Sequence, residues 1–495
     1  MFRRDPITGE RDHTDLMVDF VNRLLERLTP EYPNLHLAFY LYHSYERFPV
    51  RFKPHPNLSL QVADISYSRF HGMCDAAVSP QRAYFKNILE QWAKNGTTMT
   101  LYHYNWNLAD AIMPYSRLRI IGNDIPLEHK MGIHGYGCEN TRTRSTSAPH
   151  DYLQAKLMWN ANGDWREITR RFCEKAYGAG APAMEEYLMF LCHKQANSSD
   201  ETGSFFAYPF MYSAADVVKM RGLLEKSLAA AEKPMEKFRV RMATHPVEQL
   251  ENLHRFYQFL YQFEFKQAFE VYEEMHNLQK MRNESDFGAA VYSGWALSFL
   301  KFYLLPVASQ GKQYSTGSYR IIGQLPERMK VMFDPENAGE QMNFHSSLLT
   351  DEEFIEMGTY RSNFSRQGQI GFRHGSIWYR AKVKLPALDD LKPDEGVGLF
   401  VGGGDHIVTA YVNGVKVGKI SGFLKPGVWD ITDHIARDGR PNSMVISVRR
   451  MTNNEVGTGG LMYPSFIFAG PRLAKPEEST TRAEYKIILP GVPQG

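Results

Sequence analysis

Residues 129–145, "HKMGIHGYGCENTRTRS", combine the end of a helix, a short apolar strand and a polar loop. The strand ends at Gly137 and Cys138, and polar residues follow at once: Glu139, Asn140, Arg142 and Arg144. A packed core seldom includes such a cluster, because charged side chains lose their hydration on burial. The carboxyl end of a strand in a parallel α/β fold is a place where such side chains meet. The segment therefore predicts a parallel strand that presents polar groups at a functional site.

Strands and helices alternate through the first 178 residues. Apolar runs predict strands over 35–43, 58–65, 97–105 and 132–138, and periodic patterns predict helices over 14–28, 80–94, 117–131, 150–159 and 164–178. Strands that are apolar on both faces, joined by helical crossovers, are typical of a parallel sheet. The spacing fits a TIM-type (β/α)8 barrel, of which four strands make half. We therefore expect the C-terminal half of such a barrel.

The remaining chain changes pattern twice. Residues 182–305 are helical in pattern, with one long aromatic-rich helix predicted over 245–281, and residues 308–320 are typical of a loop. From residue 328 onward, short alternating runs and glycine-rich turns predict a β-sandwich, in which Asn413 and Gly414 form a hairpin turn. The predicted fold class is therefore multidomain α/β, α and β. Its predicted parts are a partial barrel over 1–180, a helical domain over 181–325, a jelly-roll β-sandwich over 326–475 and a tail over 476–495.

Composition argues against several classes of function. The chain has 57 basic and 55 acidic residues, and a formal charge of +2 argues against a nucleic-acid surface. Its four cysteines form no CxxC pair and its histidines show no metal-ligand spacing, so we expect no metal and no cofactor. No apolar run reaches the roughly 18 residues that span a bilayer, and no signal peptide follows Met1. The compartment stays open: cytosolic, or extracellular or periplasmic if a leader preceded these residues.

Four segments within residues 1–195 occur in an order that matches a known family: "TDLMVDFVNRLLERL", "YHYNWNLADAIMPYSRLRIIG", "GIHGYGCEN" and "DYLQAKLMWNANGDWREITRRFCEKAYG". They resemble the domain-of-unknown-function family DUF4838, which is related to alpha-glucuronidase and other glycoside-hydrolase barrels. The resemblance implies the second half of that barrel and acid/base hydrolysis of glycosidic bonds in a polysaccharide or oligosaccharide. Where the family tends to have Trp-Asp-Tyr, this sequence has Tyr102, His103 and Tyr104, so an imidazole replaces a carboxylate.

A second set of segments lies between residues 328 and 470. It includes "GSIWYRAKVKLP", "VGGGDHIVTAYVNGVKVG", "PGVWDITDHI" and "NSMVISVRR". The pattern residues are Trp378, Tyr379, Asn413, Gly414, Trp429 and Asp430. Together they resemble the galactose-binding-like β-sandwich found beside many glycosidase barrels. The resemblance implies a domain that packs on the catalytic part and, in some proteins, contacts sugar directly.

The predicted strand ends supply candidates for the chemistry. Glycoside hydrolysis uses two carboxylic groups, roughly 5 Å apart for retention and roughly 6.5–9.5 Å apart for inversion. The carboxylates at these strand ends are Asp64 and Glu139, which we predict as acid and base, with His103 between them as hydrogen-bond donor or proton carrier. Each of the three also has a structural alternative. Asp64 would cap a turn, Glu139 would form an ion pair with Arg142 or Arg144, and His103 would be a rim histidine whose hydrogen bonds are satisfied within the protein.

Other residues near the strand ends predict substrate contacts. The predicted substrate-binding set is Tyr42, His43, Asn105, Trp106, Asn140, Arg142 and Arg144. Trp106 is a candidate stacking platform for a pyranose ring, with core packing as the alternative. The forked guanidinium groups of Arg142 and Arg144 suit the carboxylate of a uronate, with ordinary solvation as the alternative.

Two functions from different classes remain open. The first is a glycoside-hydrolase-like protein. The second is a non-catalytic carbohydrate-binding or structural remnant, because half a barrel leaves edge strands unpaired. A third possibility is that the sequence is a truncated gene product. An upstream segment would then complete the barrel, and the function would again be that of a glycoside hydrolase. In each case we expect carbohydrate as partner, no nucleic acid, no membrane span, and self-association of the chain into a homo-oligomer.

Overall fold

The structure, a computed structural model, describes residue 4 and residues 11–105, 112–133, 135–139, 143–199, 206–284, 294–361, 375–389, 391–450 and 459–474. These residues form a four-stranded parallel sheet with helices, a helical region, and antiparallel sheets. The mixed α/β, α and β organisation predicted from the sequence is confirmed at this level.

The parallel sheet holds four strands in sequential order: β1 (Leu37–Leu41), β2 (Leu58–Ala63), β3 (Thr98–Tyr104) and β4 (Gly135–Glu139). The accompanying helices are α1 (Thr14–Leu28), α2 (Pro80–Lys94) and α3 (Leu118–Lys130). Side-chain oxygens accept backbone N–H groups at the starts of two helices, from Asp12 just before the N-cap of α1 and from Ser79 at the N-cap of α2. The Asp12 carboxylate accepts the backbone N–H of Thr14 at 3.0 Å, and Ser79 Oγ accepts that of Arg82 at 3.2 Å. The helices predicted over 14–28 and 80–94 are confirmed as α1 and α2.

Alternation along the strands gives the parallel sheet two different faces. The helix face packs its apolar side chains against α1 and α2 in one core, which includes Leu41, Leu58, Leu60, Val62, Met99, Leu101, Val18, Val21, Leu25, Phe85, Leu89 and Trp92. The opposite face, called the open face below, carries exposed or half-buried residues: Ala38, Tyr40, Ser59, Gln61, Thr98, Thr100, Tyr102, Gly135 and Gly137. The sheet therefore has a structural side and a solvent-facing polar and aromatic side.

The helical region follows β4. Its helices are α4 (Arg144–Trp159), α5 (Trp165–Tyr177), α6 (Ala181–Ala196), α7 (Tyr208–Met211), α8 (Ala214–Ala230), α9 (Pro234–Tyr261), α10 (Phe265–Glu284), α11 (Gly294–Tyr303) and α12 (Leu305–Ser315). Their buried apolar faces share one large core. Within the described ranges, no helix combines the length and apolar content needed to cross a bilayer.

Two predictions about this region are wrong. The helix predicted over 245–281 is two helices, because the chain turns between α9 and α10 at Phe263, whose φ is +62°. Positive φ is usually signalled by Gly or Asn, so a turn at a phenylalanine cannot be predicted from the sequence pattern. The loop predicted over 308–320 is helical through Ser315. Gly311, a residue typical of loops, is needed in this helix for close packing, because a Cβ there would lie 2.1 Å from Cδ1 of Phe265.

Antiparallel sheets make up the rest of the fold. Their strands are β5 (Arg320–Gln324), β6 (Arg328–Asp334), β7 (Ile355–Gly358), β8 (Gly375–Val383), β9 (Glu395–Val401), β10 (Gly404–Asp405), β11 (Ile407–Val412), β12 (Val415–Ser421), β13 (Gly427–Asp430), β14 (Asn442–Arg450), β15 (Gly460–Leu461) and β16 (Phe466–Pro471). The six-stranded sheet has the order β12-β11-β14-β8-β6-β7, the four-stranded sheet has the order β13-β9-β16-β5, and β10 pairs with β15.

One apolar core joins the two larger antiparallel sheets, with Val331, Ile377, Val408 and Ile446 from the first and Val397, Leu399, Val401 and Ile467 from the second. The predicted hairpin turn is confirmed, with φ of 50° at Asn413 and 86° at Gly414. Trp378 and Tyr379, two of the pattern residues, are buried. On the helical side, Phe265 contacts Phe466 at a ring-centroid distance of 5.1 Å.

Replacing Trp92 tests the core on the helix face. Trp92 is 0% exposed, and its indole N–H donates to the carbonyl of Glu46 at 3.0 Å. Trp92→Ala should lower the free energy of unfolding by roughly 3–5 kcal/mol, measured by urea denaturation, because it leaves a cavity. The matched control is Trp159→Ala at a 92% exposed position, which should change it little. Equal effects of the two substitutions would contradict this packing.

Candidate functional site

The register of the parallel sheet decides which side chains meet at the carboxyl ends of its strands. Tyr104 pairs with Glu139, so both point to the open face. His103 precedes Tyr104 and therefore points to the helix face. Asp64 is level with His103 in the β2–β3 register, and both residues line one cavity beneath the helices. The predicted common rim for Asp64, His103 and Glu139 is therefore corrected: the alternation of the strands separates the first two from the third.

Asp64 lies in a buried ion pair. Its Oδ2 accepts a hydrogen bond from Nη1 of Arg82 at 3.1 Å and lies 4.0 Å from Nη2 of Arg117. Arg82 also donates through Nε to the carbonyls of Ser68 and His71, both at 2.9 Å. Burial opposes ionisation of Asp64, but the arginines, Arg82 foremost, hold its pKa well below the ordinary value. This carboxylate is therefore locked as an anion.

His103 pairs with an acid from α3. Its Nε2 lies 3.3 Å from Oε2 of Glu128, and both side chains are buried or nearly so. Burial lowers the pKa of His103, and the Glu128 carboxylate more than reverses the effect, so the pKa is raised. The imidazole is thereby held as a hydrogen-bonded partner of Glu128.

Asp124, one turn before Glu128 on α3, anchors the chain after β2. Its carboxylate accepts the backbone N–H groups of Met73 at 2.9 Å and Cys74 at 3.3 Å. Burial and then the Glu128 carboxylate raise the pKa of Asp124 to about 6. Two acids four residues apart on one helix thus face the strand ends.

Asn105 and Gln154 continue this buried polar cluster toward α4. The Asn105 amide donates to the side-chain oxygen of Gln154. His150, also on α4, accepts the backbone N–H of Arg117 at 3.1 Å through Nε2. Burial and then the Arg117 charge lower the pKa of His150 to about 3, which keeps it neutral as an acceptor.

The open face carries an aromatic cluster beside Glu139. The ring centroids of Tyr40 and Tyr102 are 6.1 Å apart, and those of Tyr102 and Tyr104 are 5.3 Å apart. Tyr102 lies over Gly137, where an added Cβ would be 3.1 Å from its ring. Burial and then the Glu139 carboxylate raise the pKa of Tyr102, which places that acid close to the ring. Tyr40 is 47% exposed, so this surface is available to a ligand.

Arg69 links the buried cluster to the open face. It donates to the carbonyls of Ile65 at 3.1 Å and Tyr104 at 3.2 Å, and its guanidinium lies 5.4 Å from the Tyr104 ring centroid. Its charge also acts on Asp64. One buried arginine therefore fixes the ends of β2 and β3 together.

The other predicted contact residues are dispersed. Tyr42 packs beside the open-face tyrosines, while His43 turns away at φ +50° and its Nδ1 lies 3.3 Å from Ser66 Oγ. Arg144 is exposed and pairs with Asp151 at 2.7 Å, rather than projecting freely toward a ligand. Trp106, Asn140 and Arg142 lie outside the described residues.

The sequence reading missed the charged partners from the helices. Arg82, Arg117, Asp124 and Glu128 all reach the strand ends from α2 and α3 or from the residue just before α3. A signal existed: Asp124 and Glu128 are four residues apart within an otherwise apolar helix face. Among the described residues, no group of three or more His, Cys, Asp or Glu side chains is arranged to hold a metal ion.

Residues 2–189 match the family model described as "Domain of unknown function (DUF4838)". This part of the chain is a DUF4838 domain. The match covers the whole parallel sheet and the site around it, and it confirms the resemblance stated from the sequence. No curated protein matches the chain.

Solved structures similar to the chain include β-glucuronidase from Ruminococcus gnavus. The complex with D-glucaro 1,5-lactone has 21% identity and a TM-score of 0.25, and covers 32% of this chain and 30% of that one. The apo form has 20% identity, the same TM-score and the same coverage, and a third structure of the enzyme has 20% identity and a TM-score of 0.26, with 32% and 29% covered. The chain thus spans about 30% of the length of these structures, and similarity at this TM-score identifies no common fold.

Asp124→Asn tests the buried acids of the DUF4838 domain. The pKa of Asp124 rises from 3.8 to about 6 on folding, so its contribution to stability is complete below pH 3.8 and is lost as pH rises through about 6. The full effect corresponds to roughly 3 kcal/mol. The variant should flatten the decline in unfolding free energy between about pH 3.8 and 6, measured by urea denaturation. Glu26→Gln, at an exposed position on α1, is the control; an unchanged pH slope in Asp124→Asn would contradict the assignment.

Proposed function

We propose that the DUF4838 domain is a glycoside-hydrolase-like, carbohydrate-active unit whose parallel sheet is the C-terminal half of a (β/α)8 barrel. Two features support this proposal. The strands are parallel and sequential, and the helices α1 and α2 share a core with one face. A barrel has the same arrangement, with helices outside and the other sheet face inside. The open face is then the inner wall of the barrel, where a sugar would bind.

The observation that carries the proposal is Glu139 beside the tyrosines at the carboxyl end of the open face. Tyrosines offer flat apolar rings and hydroxyl groups, which suit both faces and edges of a pyranose. A carboxylate at a barrel strand end is the group that protonates a leaving oxygen or activates water in glycoside hydrolysis. We assign Glu139 the acid/base role, and Tyr40, Tyr102 and Tyr104 the sugar-contacting roles.

Hydrolysis needs a second carboxylate on the same face. Asp64 points away from Glu139 and is held by Arg82, so in this proposal Asp64 and His103 support the site without contacting sugar. β1 and β4 are the edge strands of the described sheet. The second carboxylate is then expected on strands that pair with these edges and close the barrel.

The antiparallel sheets belong to the same proposal as a sugar-binding-type β-sandwich. Its pattern residues Trp378 and Tyr379 are buried in the core, which favours a packing role over direct ligand contact. The ring contacts of Phe265 with Phe400 on β9 and Phe466 on β16 support packing of this unit against the helical region.

The second candidate function is carbohydrate binding without catalysis. The separation of Asp64 from Glu139 favours it, because Glu139 without Asp64 does not complete a hydrolytic pair, and a carboxylate on a tyrosine-lined surface can bind sugar. The two functions differ in whether Glu139 matters for turnover or only for affinity.

Glu139→Gln tests both functions. On a panel of aryl glycosides that includes uronides, the variant should lose at least about 100-fold in hydrolysis rate, because amide cannot replace a general acid or base. Sugar binding, measured by calorimetry with the released monosaccharides, should change much less. Gln91→Ala, at an exposed position of α2 on the other side of the sheet from the open face, is the control for a general effect of substitution.

Unchanged hydrolysis in Glu139→Gln would exclude Glu139 as the acid or base. Sugar binding by both proteins without hydrolysis by either would favour the non-catalytic function for the chain without further barrel strands. A thermal melt of the variant should match that of the parent chain, since Glu139 is half-buried at a sheet edge.

A further inference from the structure

A small cavity lies between the helix face of the parallel sheet and the helices α3 and α4. Its polar lining consists of Asp64, His103, Asn105, Arg117, Asp124 and Gln154, and isoleucines of α3 close it. Its free space holds about one water molecule. The cavity lies on the opposite side of the sheet from the open face, and the function proposed above places no sugar contact in it.

Three residues that line this cavity each have one buried polar atom without a hydrogen-bond partner in the described part of the chain: Oδ1 of Asp64, Nε of Arg117 and Nε2 of Gln154. Each of the three residues is more than nine-tenths buried. Leaving one buried donor or acceptor unsatisfied costs about 1–3 kcal/mol, and more for a charged group. A folded chain therefore rarely leaves three such atoms around one cavity without a shared partner.

The three atoms differ in hydrogen-bonding role. Arg117 Nε and Gln154 Nε2 carry only hydrogens to donate, whereas the Asp64 carboxylate oxygen only accepts. The Asp64 carboxylate would repel an anion in this cavity, and the Arg117 guanidinium would repel a metal cation. A neutral molecule that both accepts and donates satisfies all three.

We propose that this cavity is a binding site for a single structural water molecule. The water accepts hydrogen bonds from Arg117 and Gln154 and donates one to Asp64 Oδ1. Three hydrogen bonds are the usual number for a buried water. The water joins the end of β2, the start of α3 and the middle of α4, and so completes the polar layer beneath the strand ends.

Crystallography with an anomalous halide tests the site. Crystals of the chain grown in sodium bromide should show a water at about 2.7–3.2 Å from the three atoms and no anomalous bromide peak. A bromide peak in the cavity would replace the water with an anion site and overturn the proposal. A cavity without density would overturn it as well.

Gln154→Leu gives a second measurement in solution. The substitution removes a donor to the water and the acceptor of the Asn105 amide, so it should weaken the water site and lower the melting temperature by a few degrees. Gln91→Leu, at an exposed position of α2, is the matched control and should leave the melting temperature unchanged. A Gln154→Leu protein as stable as the parent chain would contradict a hydrogen-bonded water there. The crystal result decides the question should Gln154→Leu fail to fold.

Discussion

The buried ion pair between Asp64 and Arg82 organises the carboxyl end of the parallel sheet. Arg82 reaches from α2 to the Asp64 carboxylate and to the carbonyls of Ser68 and His71, so one side chain fixes β2 and the chain that follows it. Desolvating two charges is costly, and a buried pair is stable only with good geometry and further hydrogen bonds. Here the further bonds are present, and Arg69 and Arg117 add favourable charge around Asp64.

The strand ends have two roles, one on each face of the sheet: support of the fold on the helix face and the proposed sugar binding on the open face. Asp64, His103 and Asn105 are turned toward the helices, where they satisfy charges and amides that come from α2, α3 and α4. Glu139 and Tyr104 occupy the alternate positions and point to the open face, where Glu139 is half-buried and Tyr104 is buried among other aromatic side chains. Arg69 connects the layers through the carbonyls of Ile65 and Tyr104. A rigid polar layer thus supports the surface proposed to bind sugar.

Much of the fold is readable from periodicity. Helices α1 and α2 match their predicted limits, because an apolar stripe runs along each helix and Ser79 with Pro80 marks the start of α2. The break at Phe263 and the packing role of Gly311 were missed, since both depend on tertiary contacts that local pattern does not encode. At the site, the positions of the strand ends were predicted correctly, but the sheet face to which each side chain points was not. A shift of one residue reverses the face of a side chain. The strands were interpreted as apolar on both faces, whereas Leu58–Ala63 and Thr98–Tyr104 alternate between buried apolar and more exposed polar positions.

A double-mutant cycle on Asp64 and Arg82 tests the central claim most directly. We predict that Asp64→Asn and Arg82→Met each lower the free energy of unfolding, measured by urea denaturation, by about 3–5 kcal/mol, because each substitution removes one partner of a buried ion pair. The double variant should lose clearly less than the sum, with a coupling of about 1 kcal/mol or more. Additive losses, or single substitutions that cost less than about 1 kcal/mol, would show that this pair does not hold the strand ends together.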